Sequence, residues 1–359
     1  MALTHNANIS ITIFLDSNPA GRASLTIPLL LVPISTNTLN GDRVVSYAST
    51  TEAQAAQTAG YISADTLAGV TRMFTQSPRP KTVKVGYIDD TGSESEADAL
   101  TALIAADPDF YGVVYQDRTD ANGVALSVAA EASSKQVLVV LQSSNTDWKT
   151  GGVPAAFSSI VDNERTAVLY HDTDGDWNAE GWIASRMAFD PDEQSAPWHG
   201  RVKSGDALAS SISETVRGLI QANNANVGLP YGPASYYVDP GYSVAGRPLH
   251  EQVSADWLAI RLREDVANAI VDASNRGEKI QVNSTGQAIM LGLISARVKQ
   301  GQLTGHFDPS EEQVEIVAEE ITAADIAADR LRFTVRVKIA GSLRVVEIDV
   351  YASKTDIAA

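Results

Sequence analysis

Residues 82–115 read TVKVGYIDDTGSESEADALTALIAADPDFYGVVY, and this stretch decides the fold. Its two ends, Thr82 to Ile88 and Tyr111 to Tyr115, are short runs rich in β-branched and aromatic residues, which is typical of buried strands. Between them, Ser95 to Ala106 has the apolar spacing of a helix. The order strand, helix, strand predicts a βαβ unit with parallel strands.

The alternation of strand and helix continues on both sides of this unit. Two more strand-type runs follow, Gln136 to Gln142 and Ala167 to His171. Segments with helical apolar spacing surround them: Ser49–Thr58, Ala64–Gln76, Gly123–Ser133 and Ala179–Phe189. The pattern predicts an α/β body domain over residues 36–205, with a parallel sheet that helices cover on both faces.

The first 35 residues have a different texture and are predicted to form an N-terminal arm. Residues 8–15 read NISITIFL, so Ile9, Ile11 and Ile13 lie on one face of a half-buried strand. A second extended run over residues 23–33 contains Pro28 and Pro33, which favours an edge strand or an arm.

The C-terminal part begins with a Pro-, Gly- and Ser-rich region and a helix over Ala207–Gln221. Two longer amphipathic helices follow, Leu249–Ser274 and Ser284–Lys299. Residues 331–339 alternate as a strand, and 340–342 form a turn to the partner strand LRVVEIDVY at 343–351. Acidic residues on this partner face basic residues of 331–339 in the predicted hairpin. We therefore expect a C-terminal domain over 206–342 and a C-terminal arm over 343–359.

The expected fold class is α/β and α+β: a multidomain chain with a mixed α/β body, a C-terminal helix and β-sheet domain, and extended N- and C-terminal arms. The 359 residues carry a formal charge of −17, from 44 acidic and 27 basic residues, and no cysteine. An acidic chain repels phosphate backbones, so nucleic acid is not an expected partner. Without cysteine there are no disulfides or thiolate metal sites. Neither a secretory signal nor a membrane-spanning segment is expected.

One motif has the appearance of a catalytic loop. A buried strand runs into His171-Asp-Thr-Asp-Gly-Asp176, which resembles the nucleophile loop of magnesium-dependent haloacid-dehalogenase phosphatases, with Asp172 as nucleophile and Asp174 as acid or base. Asp176 stands where that family has Thr or Val, and the strand is the fourth rather than the first. A solvated acidic turn is the simpler interpretation. His250-Glu251 is not completed as a zinc motif, because Ser254 stands where the second histidine belongs. We predict no enzyme and no cofactor.

The order of several short motifs resembles the sheath proteins of contractile phage tails. Asp256-Trp257-Leu258 lies on the long helix; a short strand and turn at 279–286, a second helix and Gly301-Gln-Leu-Thr-Gly305 follow. In the body, Gly112-Val-Val-Tyr115 is a strand end typical of the same family. The resemblance covers about residues 80–350 and implies a structural subunit of a virion.

What this family does is mechanical. The resemblance implies a homo-oligomer of stacked rings that polymerises around a tail tube protein, contacts baseplate and tail terminator proteins, and contracts to drive the tube through the host envelope. It also implies that terminal arms exchange strands between subunits. The N-terminal donor face would then be Ile9, Ile11 and Ile13, and the C-terminal donor face Val346, Ile348 and Val350.

Arg297 and Lys299 are candidates for a surface that faces the tube. Assembly is expected in the host cytoplasm, with the virion as the final location and without direct insertion into a membrane. Two alternatives stay open: the magnesium-dependent phosphatase, and another tail, baseplate or filament subunit.

Overall fold

The structure, a computed structural model, describes residues 7–9, 24–34, 39–89, 94–173, 176–203, 212–230, 235–310, 312 and 314–342. The helices within these residues are α1 (Thr50–Thr58), α2 (Ala64–Phe74), α3 (Glu96–Ala106), α4 (Asp120–Ala132), α5 (Asp147–Thr150), α6 (Asn178–Met187), α7 (Glu214–Ala222), α8 (Leu249–Asn275), α9 (Ser284–Leu303) and α10 (Ala323–Ala327). The strands are β1 (Ala7–Ile9), β2 (Pro28–Ile34), β3 (Val44–Tyr47), β4 (Val83–Asp89), β5 (Gly112–Tyr115), β6 (Leu138–Ser143), β7 (Thr166–Tyr170), β8 (Gly200–Lys203), β9 (Asn226–Pro230), β10 (Ser235–Asp239), β11 (Val314–Ala318) and β12 (Phe333–Val337).

A nine-stranded sheet forms the centre of the body, in the order β3-β4-β2-β5-β6-β7-β9-β10-β8. The strands from β4 to β9 along this order pair in parallel. β3 joins one edge antiparallel to β4; at the other edge, β10 pairs antiparallel to β9, and β8 pairs antiparallel to β10. The predicted fold class, a mixed α/β body with a C-terminal helix and sheet unit, is confirmed.

Helices cover both faces of this sheet because alternate strand residues point to opposite sides. Leu29 and Leu31 of β2 belong to the buried cluster on one face, which also includes residues of α3, α4, α5 and α7. Leu30 and Val32 belong to the cluster on the other face, which includes residues of α1, α2, α6 and α8. Serine caps set several helix starts: the hydroxyls of Ser49, Ser63, Ser95 and Ser213 accept a backbone N–H three residues later.

The interpretation of residues 23–33 as an edge strand or arm is wrong. β2 lies in the middle of the sheet, between β4 and β5, and Leu29, Leu30 and Leu31 are fully buried. An unbroken apolar run is typical of a parallel strand buried on both faces. Pro28 is the first residue of β2 and Pro33 the last but one, so the missing N–H groups fall at the strand ends.

The body is also larger than the sequence predicts. β2 brings residues 28–34 into the sheet, although the predicted arm extends to residue 35. β9 and β10 bring residues 226–239 into the same sheet, although the predicted boundary stands at 205. Long-range pairing with β7 decides their membership, and local sequence does not encode this pairing.

The C-terminal unit consists of α8, α9, β11, α10 and β12. Trp257 of α8 stacks on His306, with ring centroids 4.5 Å apart, and lies close to Phe307. α9 approaches this cluster at Gly301, where an added Cβ would lie 2.3 Å from the Phe307 ring. Trp257 and Phe307 belong to the same buried cluster as one face of the body sheet, so the unit and the body share a core.

Candidate assembly interface

In the described part of the body, an ion pair between protein side chains lies near the place where open α/β sheets bind ligands. This place is the crevice beyond the carboxyl ends of the strands, where the strand order reverses, here between β2 and β5. Arg118 follows β5 and donates to the Tyr115 carbonyl (2.7 Å) and to Oε1 of Glu180 (2.6 Å). Glu180 of α6 is fully buried, and Trp177 lies within 5.6 Å of the Arg118 guanidinium.

The N-terminus of α6 is occupied by a protein side chain. Oε1 of Gln142 accepts the N–H groups of Asn178 and Ala179 (both 3.2 Å), and Nε2 donates to the carbonyls of Thr173 (3.1 Å) and Asp176 (2.7 Å). Free N–H groups at such a helix start are what phosphate ligands use. In this chain the side-chain amide of Gln142 occupies the position that a phosphate ligand would take.

The described part of the acidic turn after β7 gives no support to the phosphatase site that the sequence leaves open as an alternative. Oδ1 of Asp172 accepts from Lys149 Nζ (2.8 Å) and from the Tyr170 hydroxyl (2.5 Å). Burial is the larger cause that raises the pKa of Tyr170 to about 12, and the hydrogen bond to Asp172 acts in the same direction. Asp174 lies outside the described residues. In the ranges that the structure covers, no three His, Asp or Glu side chains converge as metal ligands.

The small sheet of the C-terminal unit is the stronger candidate for a functional site. Its order is β1-β12-β11, with both neighbours antiparallel to β12. Ile9 of β1 and Ile316 of β11 face Val335 of β12 in register. The N-terminal segment therefore reaches the sheet of the C-terminal unit through main-chain pairing, with more than 300 residues between the two strands.

The predicted donor residues fall mostly outside the described part. Ile9 lies in β1, whereas Ile11, Ile13, Val346, Ile348 and Val350 are outside the described residues, as is the predicted partner strand 343–351. β12 is paired on both sides by β1 and β11, and β11 was not predicted. The alternation in Val314-Glu-Ile-Val-Ala318 could have indicated it.

Charged residues on and beside β12 pair with residues on and beside β11, whereas residues 347 and 349 lie outside the described residues. Arg336 pairs with Glu315 (2.6 Å), and Arg332 pairs with Glu319 (2.9 Å). Arg332 also reaches Asp325 (3.0 Å), whose carboxylate accepts from Thr322 and Arg330. The hydrogen bond from Thr322 is the largest cause that lowers the pKa of Asp325 below its usual range, and the hydrogen bond from Arg330 acts in the same direction. These contacts hold β11, α10 and β12 together.

The two candidates for a tube-facing surface have different environments. Arg297 makes a two-pronged ion pair with Asp265 of α8 (2.6 and 2.7 Å) and lies over the Trp257 ring, which fastens α9 to α8. Lys299 is exposed on the outer face of α9, as are Ile289 and Leu303. Among the described helices, none is long and apolar enough to cross a bilayer.

Buried polar contacts fasten the C-terminal unit to the body. Asp256 of α8 accepts from the Tyr111 hydroxyl (2.9 Å) and from both terminal nitrogens of Arg165 (2.5 and 2.7 Å). Arg261 pairs with Asp192 of the loop after α6 (2.8 Å), and Trp257 Nε1 donates to the same carboxylate (2.9 Å). We call these contacts, together with His306, the junction.

His306 makes the junction sensitive to pH. Its ring is fully buried between Ser254 Oγ (2.8 Å from Nδ1) and the Pro191 carbonyl (2.7 Å from Nε2). Burial lowers the pKa of His306, although the Pro191 carbonyl and the charge of Asp192 oppose this effect. A lowered pKa means that the folded state prefers neutral imidazole. The contribution of His306 to the free energy of unfolding is therefore fully present above pH 6.5, and it is lost as the pH falls through the folded-state pKa.

We expect His306→Gln to reduce the loss of stability between pH 7.5 and pH 5, measured by urea unfolding at each pH. Comparison at pH 7.5 separates the packing change from the titration. An equal pH dependence in both proteins would contradict the role assigned to His306.

No protein-family profile and no curated protein matches the sequence. A solved chain of the anti-feeding prophage helical sheath in its contracted state has a TM-score of 0.62 and 13% identity, covering 98% of this chain and 100% of that chain. For the contracted PVC sheath of an extracellular contractile injection system, the TM-score is 0.63 and the identity 11%, covering 99% and 97%. A chain of the anti-feeding prophage baseplate has a TM-score of 0.62 and 12% identity, covering 96% and 99%.

These matches define the class of fold: an α/β body joined to a C-terminal helix and sheet unit, as in proteins that build helical sheaths. In particular, the chain has the fold of contractile sheath proteins. The resemblance predicted from the order of short motifs is confirmed at the level of the fold. The phosphatase alternative receives no support.

Proposed function

We propose that this chain is a sheath subunit of a contractile phage tail or a related injection system, and that it is not an enzyme. The observation that carries the proposal is the extent of the structural match, which spans at least 97% of this chain and of two solved chains from contracted sheaths. A subunit with a different architecture, such as a tail-tube or filament protein, would not align over both parts of the chain.

Strand exchange between subunits is the proposed link. β1 is bound to β12 through backbone pairing, and residues 10–23 separate it from the body. A stretch of this length can span about 45 Å when extended. β1 of one subunit can therefore occupy the same edge of β12 on a second copy, where main-chain hydrogen bonds add along the strand. The C-terminal arm, with Val346, Ile348 and Val350, would add to an outer edge of the same sheet.

The arms and the bodies have separate tasks in this proposal. The arms keep neighbouring subunits connected, while the bodies exchange one set of contacts for a more favourable one during contraction. The junction lets each subunit move as one piece, since the C-terminal unit shares a core with the body. The sheath surrounds a tail tube and meets baseplate and terminator proteins at its ends. It is assembled in the cytoplasm of the producing cell and acts outside that cell.

The experiment that tests this proposal compares the full chain with a variant that lacks residues 2–20. Negative-stain microscopy and size-exclusion chromatography of the full chain should show rings or hollow cylinders, and the truncated chain should stay monomeric because the donor strand is missing. The thermal unfolding temperature of the monomer shows whether the truncated chain is folded. Monomers from the full chain, or cylinders from the truncated one, would contradict the proposal.

Two variants test whether assembly needs the apolar donor face of the arm or only the presence of the arm. Lysine at positions 9, 11 and 13 places charge on the apolar face, whereas lysine at 10 and 12 places it on the opposite face. The first variant should lose assembly, and the second should keep it.

Lys299 is the proposed contact of α9 with the tube, because Arg297 is held by Asp265. Lys299→Glu should leave cylinders of normal diameter and reduce co-sedimentation with the tube protein. Ser295→Glu, on the same exposed face of α9, reports whether any added negative charge has this effect. Unchanged co-sedimentation of the Lys299→Glu cylinders would place the tube contact elsewhere.

A further inference from the structure

Two Asn-Gly pairs occur in the chain, Asn40-Gly41 and Asn122-Gly123, and their environments are opposite. In an Asn-Gly pair the glycine nitrogen can attack the asparagine side-chain amide, because glycine places no side chain in the way. The attack needs a free backbone nitrogen and a side chain that can turn towards it. The fold decides whether a given pair meets these two conditions.

Asn40 and Gly41 form the tip of an exposed turn. The Asp42 N–H donates to the Leu39 carbonyl (3.0 Å), and both central residues have positive φ, 53° at Asn40 and 92° at Gly41. This is the backbone of a type I′ turn, for which Asn-Gly is the preferred pair. Both residues are exposed, and the Asn40 side chain has no hydrogen-bond partner in the part of the chain that the structure describes.

Asn122 and Gly123 are protected by the first turn of α4. The Gly123 N–H donates to the Thr119 carbonyl (3.0 Å), and Gly123 is buried. The Asn122 side-chain amide donates to Asp117 Oδ2 (2.6 Å). Attack at this pair requires the helix start to open first, and such local opening costs free energy.

We propose that Asn40 is a site of spontaneous modification, at which the side-chain amide is lost and the main chain partly rearranges to isoaspartate. The Gly41 nitrogen loses its proton to solvent base and forms a bond to Cγ of Asn40, and ammonia leaves. Water then opens the cyclic imide at either carbonyl and gives aspartate or isoaspartate. Water is the only reactant consumed, because the base regains its unprotonated form when the departing nitrogen takes up a proton to leave as ammonia. The inference does not depend on the proposed function.

The two products differ in their effect on the turn. Aspartate is compatible with a type I′ turn and adds one negative charge. Isoaspartate adds a methylene group to the main chain, close to Arg43, which pairs with Glu94 (2.5 Å) and lies over the Tyr87 ring. The turn that favours Asn-Gly for its backbone thus also exposes the pair to this reaction.

The test is a time course on the folded full chain at 37 °C and pH 8, analysed by mass spectrometry of the tryptic peptides 23–43 and 119–135. We expect a gain of one mass unit at Asn40, with two separable products, and a rate at Asn122 at least about tenfold lower. At pH 6 the reaction at Asn40 should be slower. In concentrated urea the two rates should become similar, which shows that the fold causes the difference.

Asn40→Gly is the matched variant, since Gly-Gly also adopts a type I′ turn and has no amide to lose. Its peptide 23–43 should gain no mass at position 40, and its unfolding temperature should equal that of the wild type. Equal rates at Asn40 and Asn122 in the folded chain would overturn the proposal. So would an unmodified Asn40 under conditions in which the urea-unfolded chain reacts.

Discussion

Asp256→Ala is expected to lower the free energy of unfolding by about 3–5 kcal/mol, because it breaks a buried ion pair and leaves its partner unmatched. Asp256 is 3% exposed and accepts hydrogen bonds from Tyr111 and Arg165 of the body. Without the carboxylate, the Arg165 guanidinium stays at the junction without its anion. Urea unfolding of the purified chain measures the loss.

The control for this prediction is an ion pair in solvent. Glu315 and Arg336 lie across β11 and β12 at a similar distance, but their side chains are 53% and 51% exposed. Glu315→Ala should therefore cost less than about 1 kcal/mol. A loss from Asp256→Ala as small as that from Glu315→Ala would show that the junction contributes little to stability.

Gly301→Ala is expected to lower the free energy of unfolding by about 1–3 kcal/mol through overpacking. The added methyl group would lie 2.3 and 2.5 Å from two ring atoms of Phe307 and 3.0 Å from the Trp257 ring. Both rings are fully buried, so neither can move aside without disturbing the core of the C-terminal unit. Thermal and urea unfolding report the change.

The same helix supplies a substitution of opposite sign. Gly292 of α9 is exposed, and an added Cβ there would meet no atom within 4 Å. Alanine at this position should stabilise the chain by up to about 1 kcal/mol, because glycine is a poor helix former. If Gly301→Ala also stabilised the chain, helix propensity would outweigh packing at α9, contrary to the geometry.

The sequence predicts the elements of the body correctly where the local hydrophobic pattern agrees with the strand pairing in the sheet. β4 and α3 occur within one residue of the limits read from residues 82–106, because a strand period and a serine-capped helix are local properties. The prolines of β2 suggest an edge position, whereas its run of Leu29 to Val32 indicates a buried one. Apolar residues on both faces of a strand indicate a central position, and that signal was present in the sequence.

The candidate interface was less accessible to sequence reasoning. Asp256-Trp257-Leu258 was noticed as a motif, but its role at the junction depends on Tyr111, Arg165 and Asp192, which are distant in sequence. The basic alternation of β12 correctly indicated charge pairing across strands. Its partner was misassigned to 343–351, since local sequence does not distinguish that segment from β11.

The central position of β2 determines how a force applied to the N-terminal arm is transmitted to the sheet. The arm leads into β2, and Leu25, buried to 3% exposure, anchors the entry. β2 is bonded on both sides, to β4 over Leu29–Ile34 and to β5 over Pro28–Leu31. Tension directed along the strand axis would load both rows of hydrogen bonds in shear, all at once. A strand at the edge would be peeled away one bond at a time, whereas this one transmits the load to the whole sheet.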